Sequence, residues 1–162
     1  MTSQKFTTQN AEETRKLGEK IARSLSGGEV LALYGELGSG KTTFVQGLAR
    51  GLGIKKRVLS PSFTLIKQYK ISPPRCNTLY HIDLYRIENE KDADGLGLKE
   101  IWSDPKNICV IEWAEKIKKI LPKERWEIHF EYLSENVRQI VIKKPFLGSS
   151  SQGQSLHEDS PC

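Results

Sequence analysis

Apolar side chains recur every fourth residue in the first predicted element, Ala11 to Leu25, and charged residues fill most of its other positions. This spacing predicts an amphipathic helix that places one face on a core. Asn10 and Glu13 have the spacing of a capping box at its start, and Gly27-Gly28 predicts its end.

The next apolar residues form a continuous run, Val30 to Tyr34, which is typical of a strand buried on both faces. A glycine-rich stretch follows it directly. Thr43 to Leu52 then carries apolar residues at helical spacing and is followed by Gly53. The pattern therefore predicts a strand, a glycine-rich loop and a helix in succession.

Strand-like patterns dominate the middle of the chain. Thr64 to Tyr69 and Thr78 to Leu84 alternate as strands do, and the turn-rich segment Ile71 to Arg75 between them predicts an antiparallel hairpin. Ile108 to Ile111 is a second continuous apolar run, which predicts a second central strand.

The remaining elements follow in quick succession. Trp113 to Leu121 predicts a helix that ends before Pro122. Trp126 to Tyr132 and Val137 to Ile142 predict two strands, with Ser134 to Asn136 as the turn between them.

The end of the chain has a different composition. From Gly148 onward it consists largely of glycine, serine and glutamine, which cannot fill a core. We therefore predict a disordered tail over residues 147–162 and a single domain over residues 1–146.

Composition narrows the class of protein. The 162 residues are 37% hydrophobic and 28% charged, an ordinary globular balance, and no apolar run approaches the length of a membrane span. Three scattered cysteines and no secretory leader favour the cytoplasm. The net charge of +5 permits weak attraction to RNA, but the basic clusters are too short to identify a partner.

The glycine-rich stretch fits the pattern G-x-x-x-x-G-K-[ST] at every position, between a predicted strand and a predicted helix. Such a loop turns backbone N–H groups toward phosphate oxygens at a helix N-terminus. The lysine neutralises the β and γ phosphates and the first threonine binds Mg²⁺. The predicted nucleotide-binding residues are Gly35, Glu36, Leu37, Gly38, Ser39, Gly40, Lys41, Thr42 and Thr43.

The choice of nucleotide depends on a second segment. Guanine-specific sites carry an Asn/Thr-Lys-x-Asp segment late in the chain, and here the nearest match, Asn89 to Asp92, has the wrong order. The sequence therefore favours ATP, with ADP as its product and Mg²⁺ as the metal.

Two acids, one at the end of an apolar run and one within a strand-like run, could complete a hydrolytic site. Glu112 ends the second apolar run and is the better candidate for the magnesium-associated acid, with a solvated carboxylate as the alternative. Asp83 is the second candidate, and its alternative is a structural ion pair with Arg86. Ser60 to Thr64 lies where P-loop proteins place a γ-phosphate switch, although it is equally an ordinary turn.

Four segments in this order resemble the TsaE (YjeE) family. They are the P-loop from Tyr34 to Phe44, Ser-Pro-Ser-Phe-Thr at Ser60, His-Ile-Asp-Leu-Tyr-Arg at His81, and Ile-Glu-Trp at Ile111. The resemblance covers roughly residues 8–142. It implies a P-loop NTPase-like α/β fold, a three-layer sandwich around a mixed, mostly parallel sheet.

The resemblance also implies an activity. Family members are ATPases, slow in isolation, that support a TsaB–TsaD complex. That complex forms N6-threonylcarbamoyladenosine beside the anticodon of tRNAs that read codons beginning with A. On this chain the P-loop residues correspond to Lys41, Thr42 and Thr43, the functional aspartate to Asp83, and the magnesium-associated glutamate to Glu112.

We therefore predict that Asp83, Glu112 and Lys41 are catalytic and that Thr42 and Glu112 bind the metal. The expected partner is a TsaB–TsaD-type complex, with tRNA contacted indirectly and neither a membrane nor DNA involved. Two other functions fit a small P-loop protein: a small-molecule kinase, and a module in which bound ATP merely orders a docking face.

Overall fold

Seven strands and three α-helices organise the part of the chain that the computed structural model describes, residues 1–72 and 77–146. The strands are β1 (Thr2–Thr8), β2 (Val30–Tyr34), β3 (Ile66–Lys70), β4 (Thr78–Asp83), β5 (Asn107–Glu112), β6 (Trp126–Tyr132) and β7 (Arg138–Lys144). The helices are α1 (Ala11–Ala22), α2 (Lys41–Gly51) and α3 (Leu98–Ser103), and single 3-10 turns cover Ser62–Thr64, Glu90–Ala93 and Ala114–Ile117. Within these residues, no helix has the length and apolar character needed to cross a membrane.

All seven strands belong to one sheet in the order β1-β7-β6-β2-β5-β4-β3. The four middle strands, β6, β2, β5 and β4, run parallel to one another. The pairs at the two sides, β1 with β7, β7 with β6 and β4 with β3, are antiparallel. The mixed sheet with a parallel centre that the sequence predicts is confirmed.

Each face of the sheet is covered by its own core, as the continuous apolar run in β2 requires. Leu31 and Leu33 point to the face that packs against α1 and α2. Val30 and Ala32 point to the opposite face, where α3 and the 3-10 turns contribute the partners. The result is the predicted arrangement of three layers.

The pattern analysis missed β1 and α3. Strand β1 lies at the sheet edge, and most of its residues are exposed. It is held by its pairing with β7 from Thr2↔Lys144 to Thr8↔Arg138, with Phe6 packed against the core. Edge strands bury little apolar surface, so their sequences lack a strong period of two. Helix α3 has six residues, too few for a helical period.

The predicted helix from Trp113 to Leu121 is wrong. Only Ala114–Ile117 forms a 3-10 turn, and Trp113 before it has a positive φ of 60°. The backbone N–H of Lys116 donates to the carbonyl oxygen of Trp113, as in a 3-10 turn. The Lys116 amino group donates to the carbonyl oxygens of Tyr85 and Ile87, which ties this turn to the segment after β4. The predicted tail over residues 147–162 and most of the predicted turn before β4 lie outside the described residues.

Candidate active site

The carboxyl ends of the parallel strands β2, β5 and β4 meet at one edge of the sheet. Glu112, the last residue of β5, lies in register between Leu33 of β2 and Asp83 of β4. Alternation along β5 points Glu112 to the same face as Val110, which packs in the core beneath α1 and α2. Ligand sites in open α/β sheets form at this edge.

The loop between β2 and α2 depends on glycine at two positions. Gly35 has φ 153°, and a Cβ there would lie 2.8 Å from the carbonyl oxygen of Phe130. Gly40 caps α2 with φ 104°, in the left-handed region that other residues avoid. These conformations curl the loop around the start of α2, as a phosphate-binding loop requires.

Lys41 is 4% exposed, and its amino group points back into the loop. It donates to the carbonyl oxygens of Gly35 and Glu36, the latter at 2.9 Å, and its Nζ lies 4.3 Å from the ring centroid of Trp113. None of the ion pairs between described residues includes it. Burial lowers the pKa of Lys41, against the opposing effect of Glu112 and other carboxylates. An anionic ligand would therefore relieve a desolvated cation.

Glu112 is 2% exposed and has a hydrogen-bond partner on each carboxylate oxygen. Oε1 accepts from the Thr42 hydroxyl at 2.8 Å, and Oε2 lies 2.5 Å from His81 Nε2. The alternative of a solvated carboxylate is therefore wrong. The structure joins the predicted acid to the predicted metal-binding threonine across 70 residues of chain.

Asp83 is 9% exposed and contacts the predicted switch segment. Its Oδ2 accepts from the Ser60 hydroxyl at 2.6 Å and its Oδ1 from the Tyr85 backbone N–H at 3.0 Å. The alternative ion pair with Arg86 does not form, because that guanidinium lies over the Phe63 ring at 4.1 Å. Asp83 thus links the end of β4 to the segment that precedes β3.

A cleft of about 370 Å³ opens over these groups. Among the predicted site residues, those that line it are Leu37, Gly38, Gly40, Lys41, Thr42, Thr43, Asp83 and Glu112. Ser60, Tyr85 and Trp113 complete this side. The cleft therefore contains the loop, both acids and the start of α2.

A further part of the cleft wall was not among the predicted site residues. It comes from the start of α1, with Asn10, Ala11 and Thr14, and from the β6–β7 turn, with Glu135, Asn136 and Arg138. Arg138 donates to the carbonyl oxygen of Gly38 at 3.1 Å and so joins that wall to the phosphate loop. The sequence signals here were a helix cap at Asn10 and a polar turn at Ser134 to Asn136, and neither indicates a ligand site.

The donor set fits a magnesium ion that is shared with phosphate groups. No cluster of three or more His, Cys, Asp or Glu side chains suited to a metal occurs in the described parts of the chain. One hydroxyl and one carboxylate, Thr42 and Glu112, are instead already together. Mg²⁺ commonly takes only one or two protein ligands beside phosphates and keeps several waters.

Comparison with known proteins identifies the family of this chain. Residues 8–140 match the family described as threonylcarbamoyl adenosine biosynthesis protein TsaE. The chain is 42% identical over 140 residues to the tRNA threonylcarbamoyladenosine biosynthesis protein TsaE of Bacillus subtilis, covering 85% of this chain and 84% of that one. It is 37% identical to the TsaE protein of Treponema pallidum, covering 83% and 96%.

A solved structure is similar as well. The crystal structure of Bacillus subtilis YdiB superposes with a TM-score of 0.72 at 37% sequence identity, covering 87% of this chain and 84% of that one. Sequence and fold therefore agree over most of the chain, and the chain belongs to the TsaE family.

Proposed function

We propose that this chain is a magnesium-dependent ATPase that supports a TsaB–TsaD complex. That complex forms N6-threonylcarbamoyladenosine next to the anticodon of tRNAs that read codons beginning with A. Membership of the family supports the pathway. The 2.8 Å contact between Thr42 and Glu112, inside the cleft that the phosphate loop lines, carries the proposal of hydrolysis. The location of the protein in the cytoplasm stays a prediction from its sequence.

Each residue has a role that its position supports. The loop N–H groups and Lys41 hold the phosphates, and Thr42 with Glu112 holds Mg²⁺. The ion supplies charge neutralisation at the phosphate oxygens. Asp83 orients the attacking water, directly or through Ser60, to which it is hydrogen-bonded. The remaining part of the cleft wall, with Asn10 and Arg138, is left for the sugar and base.

Replacing Lys41 with alanine is expected to weaken ATP binding by about 10- to 100-fold, the range for one hydrogen bond to a charged group. The reason is that Lys41 is the buried cation of the loop. Titration with a fluorescent ATP analogue measures the affinity of wild type and variant. Lys56→Ala, at an exposed position outside the cleft, is the control. Wild-type affinity in Lys41→Ala would contradict the assignment of the loop.

The proposed function is tested by ATP turnover, measured for the purified chain alone and with TsaB–TsaD. We expect slow hydrolysis alone and a higher rate with the complex and tRNA present. Stimulation by a small acceptor molecule in place of the complex would identify a kinase. Full support of tRNA modification by a variant that binds ATP but cannot hydrolyse it would identify a docking module.

A further inference from the structure

His81 is a fully buried polar side chain next to the candidate metal ligand. Alternation along β4 points Leu79, His81 and Asp83 to one face, and Leu79 packs in the core beneath α1 and α2. In the neighbouring strand, Val110 lies opposite His81 and Glu112 lies opposite Asp83. The imidazole therefore reaches the Glu112 carboxylate from inside the core and not from the cleft.

The two ring nitrogens of His81 have different surroundings. Nε2 lies 2.5 Å from Glu112 Oε2, whereas Nδ1 is buried and faces no hydrogen-bond partner in residues 1–72 and 77–146. A proton on Nδ1 would be a buried donor without an acceptor, which is costly. The geometry therefore favours the tautomer in which Nε2 carries the proton and donates it to Glu112.

We propose that His81 is a positioning residue for the magnesium site. Its Nε2–H holds Oε2 of Glu112, so that Oε1 stays directed at the Thr42 hydroxyl and at a metal bound there. A carboxylate fixed at one oxygen cannot rotate away from the ion at the other. Hydrogen bonds behind metal ligands act in this way, and losing one lowers metal affinity by about 10- to 100-fold. The inference rests on the proposed magnesium-dependent nucleotide site.

Three substitutions separate the hydrogen bond from the space that the ring fills. The amide nitrogen of His81→Gln can reach the position of Nε2 and donate to Glu112. The shorter His81→Asn places its amide near the position of Nδ1, and His81→Leu keeps an apolar volume without a donor. The glutamine variant is thus the rescue, and the asparagine variant is its matched polar control.

The measurement is ADP affinity in the presence of Mg²⁺ and in EDTA, with the thermal unfolding midpoint of each nucleotide-free variant recorded alongside. We expect His81→Leu and His81→Asn to lose about tenfold or more of the affinity that magnesium adds, with His81→Gln near wild type. ADP affinity in EDTA should not change, because Lys41 and the loop N–H groups do not touch His81. The imidazole ¹⁵N shifts of the wild type should show a proton on Nε2.

Several results would overturn the proposal. His81→Leu could fold less stably and yet show the same gain in ADP affinity from Mg²⁺ as wild type, which would give His81 a packing role alone. Equal loss in folded His81→Gln and His81→Asn would show that the Nε2 donor is not what matters, and this pair decides if His81→Leu does not fold. A proton on Nδ1 would contradict the assigned donor. If wild type shows no magnesium-dependent ADP binding, the proposed function fails first and this proposal fails with it.

Discussion

Glu112→Gln is expected to lower the rate of ATP hydrolysis at least about 100-fold, because a metal ion contributes several kcal/mol of charge stabilisation and about 1.4 kcal/mol is a factor of ten. The amide keeps the size of the side chain but removes the negative charge that faces the Thr42 hydroxyl. Single-turnover hydrolysis at saturating ATP and Mg²⁺ measures the effect. The fold should survive, because the substitution removes a buried charge and adds none.

Glu124→Gln is the matched control for that variant. Glu124 is exposed and lies outside the cleft, so the same loss of one charge is placed away from the site. Its turnover should remain near that of wild type. A Glu112→Gln variant that hydrolyses ATP at the wild-type rate, with unchanged magnesium dependence, would remove Glu112 from the mechanism.

Gly47→Ala is expected to lower the free energy of unfolding by about 3 kcal/mol, the upper end for overpacking a core. Helices α1 and α2 cross with their backbones in contact, and a Cβ on Gly47 would lie 1.9 Å from the carbonyl oxygen of Arg15. Gly18 faces the same crossing, where a Cβ would lie 2.4 Å from the carbonyl oxygen of Phe44. Backbone atoms cannot rotate aside, so the helices must separate. The gain of about 1 kcal/mol in helix propensity from alanine does not offset this.

Urea unfolding of wild type and variant measures the change. Lys16→Ala on α1 is the control, because Lys16 is exposed and surface substitutions usually stay within about 0.5 kcal/mol. If Gly47→Ala unfolds at the wild-type urea concentration, the two helices tolerate a wider spacing than the structure shows. Because α2 begins with Lys41 and Thr42, a shift of this helix should also weaken nucleotide binding.

Some predictions succeeded because the signal was local. The apolar runs of β2 and β5 needed only the fact that strands buried on both faces have no polar side. The strand from Trp126 to Tyr132 was predicted with the bounds that the structure has, since its alternation and the following turn are both strong. The glycine-rich turn between β2 and α2 was located for the same reason: its glycines are required by backbone conformations within eight residues.

Other features have no local signal. Strand β1 is polar along most of its length and is defined by its pairing with β7, more than a hundred residues away. Trp113 adopts a positive φ that no sequence rule assigns to tryptophan. This conformation is incompatible with the first residue of an α-helix, where the helix was predicted to start. The β6–β7 turn enters the cleft because of where the sheet places it, and not because of its composition.

The sequence by itself determined that a glycine-rich loop lies between a buried strand and a helix, that Glu112 ends an apolar run and that Asp83 lies in a strand-like run. It could not decide whether either acid meets the loop, since both assignments left structural alternatives open. Only the tertiary structure did so, because β5 lies parallel between β2 and β4, and this order brings Glu112 to Thr42 and Asp83 to Ser60. Strand order depends on contacts between distant residues, whereas a motif depends on its neighbours in the chain. For that reason the loop could be located from local sequence, and the contacts of the two acids could not.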